Sequence, residues 1–235
     1  MAEKRYGSVL ITGANRGLGL EFTRQLAGDA ERIIACCRNP ARANELNQVA
    51  AQSAGVVQTR ALDVTDGARI KALAAQLADQ PIDLLLNNAG ILGPRPASGV
   101  QDVDAWRQVL EVNTIAPLKM VEAMLDSVAL SKRKLIVNIT SKMGSMGDNQ
   151  SGGAYIYRSS KASLNAVMKS LALDTAELGV TVLLVHPGWV STDMGGPSGL
   201  IDAETSVTGM KSIIDRADSS LSGRFFNYDG AEIPW

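Results

Sequence analysis

Short, almost continuous apolar runs alternate along the chain with longer stretches in which apolar residues recur at helical spacing. The short runs predict strands at Ser8 to Thr12, Arg32 to Cys37, Val56 to Leu62, Ile82 to Asn87, Leu135 to Ile139, Val180 to His186 and Arg224 to Asn227. The stretches between them predict helices, among them Gly17 to Ala27, Gly67 to Ala78, Trp106 to Leu125 and Tyr155 to Glu177. Crossovers of this length suit parallel pairing, so the expected fold is α/β, a doubly wound parallel sheet of about seven strands with helices on both faces. In such sheets ligands bind beyond the carboxyl ends of the strands.

No composition break or repeat divides the alternation, and residues 1–235 are expected to form a single domain. With 235 residues, 46% of them hydrophobic, the chain can bury a large core. Its net charge of −1 offers no basic field for nucleic acid or an anionic membrane. Cys36 and Cys37 are adjacent on a predicted strand and point to opposite faces, and the lone His186 has no second ligand beside it, so no metal site is expected. Met1 to Gly7 is short and charged, without the apolar core of a signal peptide, and no run approaches the ~20 apolar residues of a membrane span. A cytoplasmic protein is the expectation.

The chemistry concentrates at predicted strand ends. Thr12-Gly13-Ala14-Asn15-Arg16-Gly17-Leu18-Gly19 joins the first strand to the first helix, which sets main-chain N–H groups and the positive end of a helix dipole where a pyrophosphate can sit. Asn87-Asn88-Ala89-Gly90 follows the fourth strand, and Thr140-Ser141 the fifth. Tyr157 and Lys161, four residues apart, share one helix face, where a fixed cation favours the phenolate. On its own such a pair is usually a solvated helix face; the neighbouring motifs change that reading.

Together these motifs resemble the short-chain dehydrogenase/reductase family, from Ser8 to about Tyr228, a Rossmann-type fold that moves hydride between a nicotinamide and a carbonyl or alcohol. Within it the chain is most similar to the C-factor and sniffer-type carbonyl reductase branch, on the segment Tyr157 to Asn165 and the ending Gly223 to Gly230. The resemblance implies a catalytic tetrad of Asn113, Ser141, Tyr157 and Lys161. It implies cofactor contacts from Gly13, Asn15, Arg16, Gly17, Leu18 and Gly19, from Asp63 and Val64 at the adenine, and from Asn88, Ala89 and Gly90. Pro187, Gly188, Val190 and Thr192 would serve the nicotinamide end, and Tyr157 and Lys161 its ribose. Tyr157 would protonate the developing alkoxide, Lys161 would lower its pKa, and Ser141 would hold the carbonyl oxygen. Asn113 resembles a helix-kinking residue that positions a water behind the lysine. Ser145 and Ser151 are rivals to Ser141, and Tyr155 is the rival phenol, with Ser159 rather than an ammonium four residues on.

The second strand ends Cys37-Arg38-Asn39, with no carboxylate to accept from a ribose 2′-hydroxyl. Arg38 and Arg16 can instead meet a 2′-phosphate, so NADP(H) is expected in preference to NAD(H). Trp189, Met194, Met143, Met146, Ile91 and Leu92 flank the expected mouth and suggest a small apolar carbonyl or alcohol substrate, with Gly195 to Gly199 as a mobile lid. In the family, the helices Trp106 to Leu125 and Tyr155 to Glu177 pair across a two-fold axis. A homodimer or homotetramer is expected, with Val109, Leu118, Met124, Leu164, Met168 and Leu171 as candidate interface residues. The competing reading is a cofactor-binding signalling or sensor protein of the C-factor type with little turnover.

Overall fold

The computed structural model describes residues 4–94 and 102–235. Met1 to Glu3, part of the short charged segment considered above, lie outside the described residues. Seven strands, β1 (Tyr6–Thr12), β2 (Ala30–Cys37), β3 (Val57–Ala61), β4 (Leu84–Asn87), β5 (Leu135–Ile139), β6 (Thr181–His186) and β7 (Arg224–Asn227), form one sheet in the order β3-β2-β1-β4-β5-β6-β7. All neighbouring pairs are parallel. The order reverses between β1 and β4, which opens a crevice beyond their carboxyl ends.

The strands are apolar almost throughout because both faces are covered. On one face Val9, Ile11, Ile33, Leu84, Leu86, Val137 and Leu183 pack against Leu20, Phe22 and Leu26 of α1 (Gly17–Ala27), Leu46 of α2 (Asn44–Gln52) and Val207, Met210 and Ile214 of α7 (Ala203–Asp215). On the other, Leu10, Ile34, Leu85, Ile136 and Val182 meet Ile70 and Leu73 of α3 (Gly67–Gln76), Met120 and Met124 of α5 (Ala116–Ala129), and Leu164 and Met168 of α6 (Tyr155–Asp174). Each such side chain contributes roughly 1.5–3 kcal/mol by burial. Cys36 and Cys37 divide between the two faces, as alternation along a strand requires.

The expected helix Trp106 to Leu125 differs in kind. It is α4 (Val103–Leu110), a π turn over Glu111–Ile115 and α5, one path that starts earlier because the Asp102 carboxylate accepts from Asp104 N and Ala105 N, both at 3.0 Å. Pro117 accounts for the π turn: it has no N–H to return to the carbonyl of Asn113, four residues earlier. The expected strand at Ile82 starts at Leu84, although Asp83 N already donates to the Ser8 carbonyl at 2.9 Å; the Asp83 carboxylate accepts from Gly7 N at 2.7 Å and Ser8 N at 3.1 Å. The helix expected to reach Glu177 ends at Asp174, followed by a 3-10 turn closed by Gly179 at φ 70°. Helix α3 stops at Gln76, short of Ala78. No helix among the described residues is long and apolar enough to cross a membrane.

Candidate active site

Three helices begin with a carboxylate cap: α3 on Asp66, α4 on Asp102 and α7 on Asp202. Helix α1 does not. Arg16 precedes it without a side-chain cap, and its first turn holds no acidic residue, so its N–H groups and dipole are left for a ligand. The turn leading into it is possible only with glycine. Gly13 has φ +67° and Gly17 φ +51°, and a Cβ on Gly19 would stand 2.2 Å from the carbonyl oxygen of Gly13.

The turn is braced against β4. Thr12 Oγ1 accepts from Asn88 N at 3.0 Å and Ala89 N at 3.1 Å, while Asn88 Nδ2 donates to the carbonyls of Thr12 at 2.9 Å and Gly13 at 3.1 Å. Asn87 Nδ2 donates to Asn138 Oδ1 at 3.0 Å and so ties β4 to β5. Opposite, Thr192 Cγ2 lies 3.7 Å from where a Gly17 Cβ would be. Gly188, at φ +83°, packs its backbone on Ile201 and Tyr228, the Pro187 carbonyl accepts from Ser206 Oγ at 2.6 Å, and Val190 is buried beside Ile201.

Lys161 is buried, and its ammonium donates to the carbonyl of Ile139 at 2.9 Å. No carboxylate contributes to its titration, and burial pushes its pKa down to about 8. The ammonium stands 5.9 Å from the centre of the Tyr157 ring, on the same face of α6. Tyr157 is 9% exposed whereas Tyr155 is 58% exposed, so the two phenols occupy different environments. A Cβ on Gly90 would come within 3.7 Å of Lys161 Nζ and 3.3 Å of Asn113 Oδ1, which places Gly90, Asn113 and Lys161 around one point.

Asn113 is fully buried in the π turn rather than facing water. Its Oδ1 accepts from Ile91 N at 2.9 Å, and its Nδ2 donates to the Ile91 carbonyl at 2.8 Å and to Ser160 Oγ at 3.0 Å. The side chain therefore clamps the segment after Gly90 to α6. Ser160 was not singled out in the sequence, although it lies three residues after Tyr157 on the same helical face. Ser141, buried at the end of β5, accepts from Met143 N at 3.1 Å and starts the 3-10 turn Lys142–Gly144. Of its rivals, buried Ser145 accepts from Asp148 N at 3.0 Å and exposed Ser151 accepts from Arg158 Nη2 at 2.9 Å.

At the other end of the crevice, Asp63 Oδ1 accepts from Thr65 N at 3.0 Å and Thr65 Oγ1 at 2.8 Å. These bonds, with Arg38 close enough to add to them, hold the carboxyl below its ordinary range. Val64 joins Thr12, Asn87 and Ala89 around a small cavity under the crevice. The Arg16 guanidinium pairs with the Asp193 carboxylate at 2.8 Å, both side chains being exposed. At the expected mouth Trp189, Met146 and Met194 are exposed, and Trp189 Nε1 donates to the Gly195 carbonyl at 2.8 Å.

An open helix N-terminus beside a buried phenol and ammonium defines a class that comparison with known proteins identifies. The short chain dehydrogenase family model matches residues 7–200, and the chain belongs to that family of NAD(P)-dependent oxidoreductases. It is 41% identical to the C-signal of Myxococcus xanthus over 166 residues, 71% of this chain and 100% of that protein. Among solved structures it is similar to the carbonyl reductase Sniffer of D. melanogaster, with TM-score 0.92, 33% identity and coverage of 98% of this chain and 100% of the other. An NADPH-bound carbonyl reductase from chicken fatty liver has TM-score 0.90, 36% identity and coverage of 99% and 100%.

Proposed function

We propose that the protein is an NADPH-dependent carbonyl reductase that exchanges hydride with a small apolar aldehyde, ketone or secondary alcohol, with Tyr157 as general acid and base. The observation that carries this reading is the buried Tyr157–Lys161 pair, set beside Gly90 and Asn113 at the crevice that α1 opens. The residues fit a dinucleotide: the uncapped N-terminus of α1 suits a pyrophosphate, and glycine backbone at Gly13, Gly17 and Gly19 leaves room for close approach. When bound, the nicotinamide would supply or accept the hydride.

The chain's own groups would do the rest. Asn15, Arg16 and Leu18 would contribute to the pyrophosphate and adjoining phosphate contacts. Asp63 and Val64 would meet the adenine, Asn88, Ala89 and Gly90 the ribose side, and Pro187, Gly188, Val190 and Thr192 the carboxamide end. Lys161 would hold the nearer ribose and favour the Tyr157 phenolate by its charge. Ser141 would hold the substrate oxygen while Tyr157 Oη moves the proton to or from it. Asn113 would keep Lys161's surroundings in place through Ile91 and Ser160. The absence of a carboxylate at the end of β2, with Arg38 there instead, supports NADPH over NADH.

Single-domain organisation over residues 1–235 and a homodimer or homotetramer belong to the same proposal. Val109, Met124, Leu164 and Met168 are buried within the chain itself, which leaves half-buried Leu118 and Leu171, with exposed Ile115 and Leu173, to carry an interface between the two long helical stretches. Light scattering at micromolar concentration tests it, and a mass near 24.8 kDa would refute assembly.

Purified protein given NADPH and a panel of aldehydes, ketones and quinones should oxidise the cofactor. The likeness to C-signal supports a second reading, in which the fold binds cofactor and signals with little turnover; the presence of all four tetrad residues weighs against it. That reading requires a rise in melting temperature with NADPH but no oxidation above background.

A further inference from the structure

The connection from Ser141 to Tyr157 is irregular, and three consecutive residues before α6 are left-handed: Gly152 at φ +63°, Gly153 at +66° and Ala154 at +47°. Ala154 carries a Cβ in a conformation that L-residues rarely adopt, and such backbone persists only where its surroundings over-determine it. Arg158, in the first turn of α6, supplies that determination. Its Nε donates to the Gly152 carbonyl at 3.1 Å, Nη1 to the Met143 carbonyl at 3.3 Å and Nη2 to Ser151 Oγ at 2.9 Å, while its main-chain N–H donates to the Ala154 carbonyl at 2.9 Å. All three acceptors of the guanidinium are neutral. The fork therefore ties chain segments together instead of balancing a charge.

Those segments carry the two groups that must meet one substrate oxygen. Met143, whose carbonyl Arg158 holds, gives its N–H to Ser141 Oγ at 3.1 Å. Gly144, one residue on, lies so near α6 that a Cβ there would stand 2.7 Å from the carbonyl carbon of Lys161. Gly152 and Ala154 lead into the turn on which Tyr157 is the third residue of α6. We propose that Arg158 is a positioning residue for the reaction, setting Ser141 Oγ and Tyr157 Oη relative to each other by tying the turn after Ser141 and the strained entry of α6 to one guanidinium. This rests on the reading of Tyr157 as the acid.

Other anchors keep the connection folded without Arg158: Gly147 N donates to the Trp235 carbonyl at 2.8 Å, and Lys142 pairs with Asp148 at 3.1 Å. Arg158→Met keeps the apolar stem and removes the fork. NADPH affinity should then stay within about twofold of wild type, while kcat falls by about tenfold or more, the order expected when reacting groups shift by a fraction of an ångström. Arg158→Lys keeps the charge but cannot span three acceptors, and should not restore kcat. Methylguanidine at tens of millimolar should restore part of the turnover of Arg158→Ala, whereas methylammonium should not. Wild-type kcat in Arg158→Met, or a loss that comes with weakened NADPH binding and resists methylguanidine, overturns the proposal. Tyr157→Phe, assayed alongside, separates the two failures: full turnover there removes the acid reading and this proposal with it, whereas an inactive Tyr157→Phe beside a fully active Arg158→Met removes the positioning role alone.

Discussion

Two buried or half-buried lysines at opposite ends of the sheet live under different rules. At the amino end, Lys211 is flanked by Asp29 at 2.6 Å and Asp215 at 2.8 Å; against the burial penalty, those carboxylates hold its pKa above the ordinary value. Around it Tyr6 Oη donates to Asp215 at 2.7 Å, and Arg133 donates to the last carbonyls of α7 at 3.2 and 3.1 Å while its guanidinium stacks on Tyr6. At the carboxyl end, Lys161 donates to the neutral Ile139 carbonyl and has a depressed pKa, α1 is uncapped, and among the described residues buried His186 Nδ1 has no hydrogen-bond partner. One end pairs its charges, and in that cluster only Arg133 Nε is left without a hydrogen-bond partner among the described residues. The other leaves its polar groups short of partners, which is the condition under which a ligand gains most by arriving.

The largest effect that can break this contrast is on chemistry. Tyr157→Phe removes only the hydroxyl, so turnover should fall by a factor on the order of 10² to 10⁴ while NADPH still binds. Steady-state assays with cofactor titration measure both, and an active Tyr157→Phe protein would move the acid elsewhere, with Tyr155 the first place to look. Next comes stability. In the cofactor-free protein Lys161→Met should stabilise by up to about 3 kcal/mol at pH 7, because it removes a cation whose pKa is held near 8 instead of 10.5. Lys211→Met should destabilise by roughly 1–3 kcal/mol, since Asp29 and Asp215 lose their partner. The sign for Lys161 can be checked by pH: from about 8 to 10.5 the folded chain has shed a proton that the unfolded chain keeps, so wild-type stability rises with pH there and that of Lys161→Met does not share the rise. Denaturant unfolding that ranked the two variants the other way would dissolve the contrast.

Much of the carboxyl end was legible in the sequence because its signals are local. The glycine spacing after β1 is demanded by backbone approach within a few residues, and the Tyr157–Lys161 interval is one helical turn. What was not legible depends on pairs remote in sequence. Asn113 reads as a mid-helix amide until Pro117 is counted four residues on; even then its grip on Ile91 and Ser160 requires the tertiary fold. Arg16 reads as a phosphate ligand, and nothing near it in the chain announces Asp193, 177 residues away. Of the apolar residues expected at an interface, Met124, Leu164 and Met168 are buried in the core beneath the sheet while Leu118 and Leu171 are only half-buried, because one 3.6-residue period serves both purposes.

A smaller effect concerns cofactor choice at the same end. Arg38→Ala should weaken NADPH by about 1.5–3 kcal/mol, the worth of a hydrogen bond to a charged group, and leave NADH nearly unchanged. Arg16→Ala should cost less, because in the cofactor-free protein its guanidinium is already engaged by Asp193 and that exposed pair must be given up first. Titrations of both nucleotides against wild type and the two variants give the ranking. Equal affinity of wild type for NADH and NADPH would sink the preference.

The smallest effect sharpens the comparison through His186, which lies at the carboxyl end of β6, where its Nδ1 meets no partner among the described residues. Burial, with Lys142 and Lys161 adding repulsion and Asp148 and Asp229 offsetting part of it, pushes its pKa from 6.5 down to about 4. Above pH 6.5 the imidazole is neutral in both states and costs nothing extra. As pH falls from 6.5 towards 4 the unfolded chain takes up a proton that the folded chain refuses, so stability is lost over that window and no further below it. Between pH 6 and 5 the loss should be about 1 kcal/mol, from 1.36 kcal/mol per unit of pKa difference. His186→Asn, which does not titrate, should flatten that part of the urea-unfolding profile while leaving the carboxylate-driven loss at lower pH. Parallel profiles for wild type and variant between pH 6 and 5 would show that His186 has found a partner, and that the carboxyl end is better satisfied than its hydrogen bonds indicate.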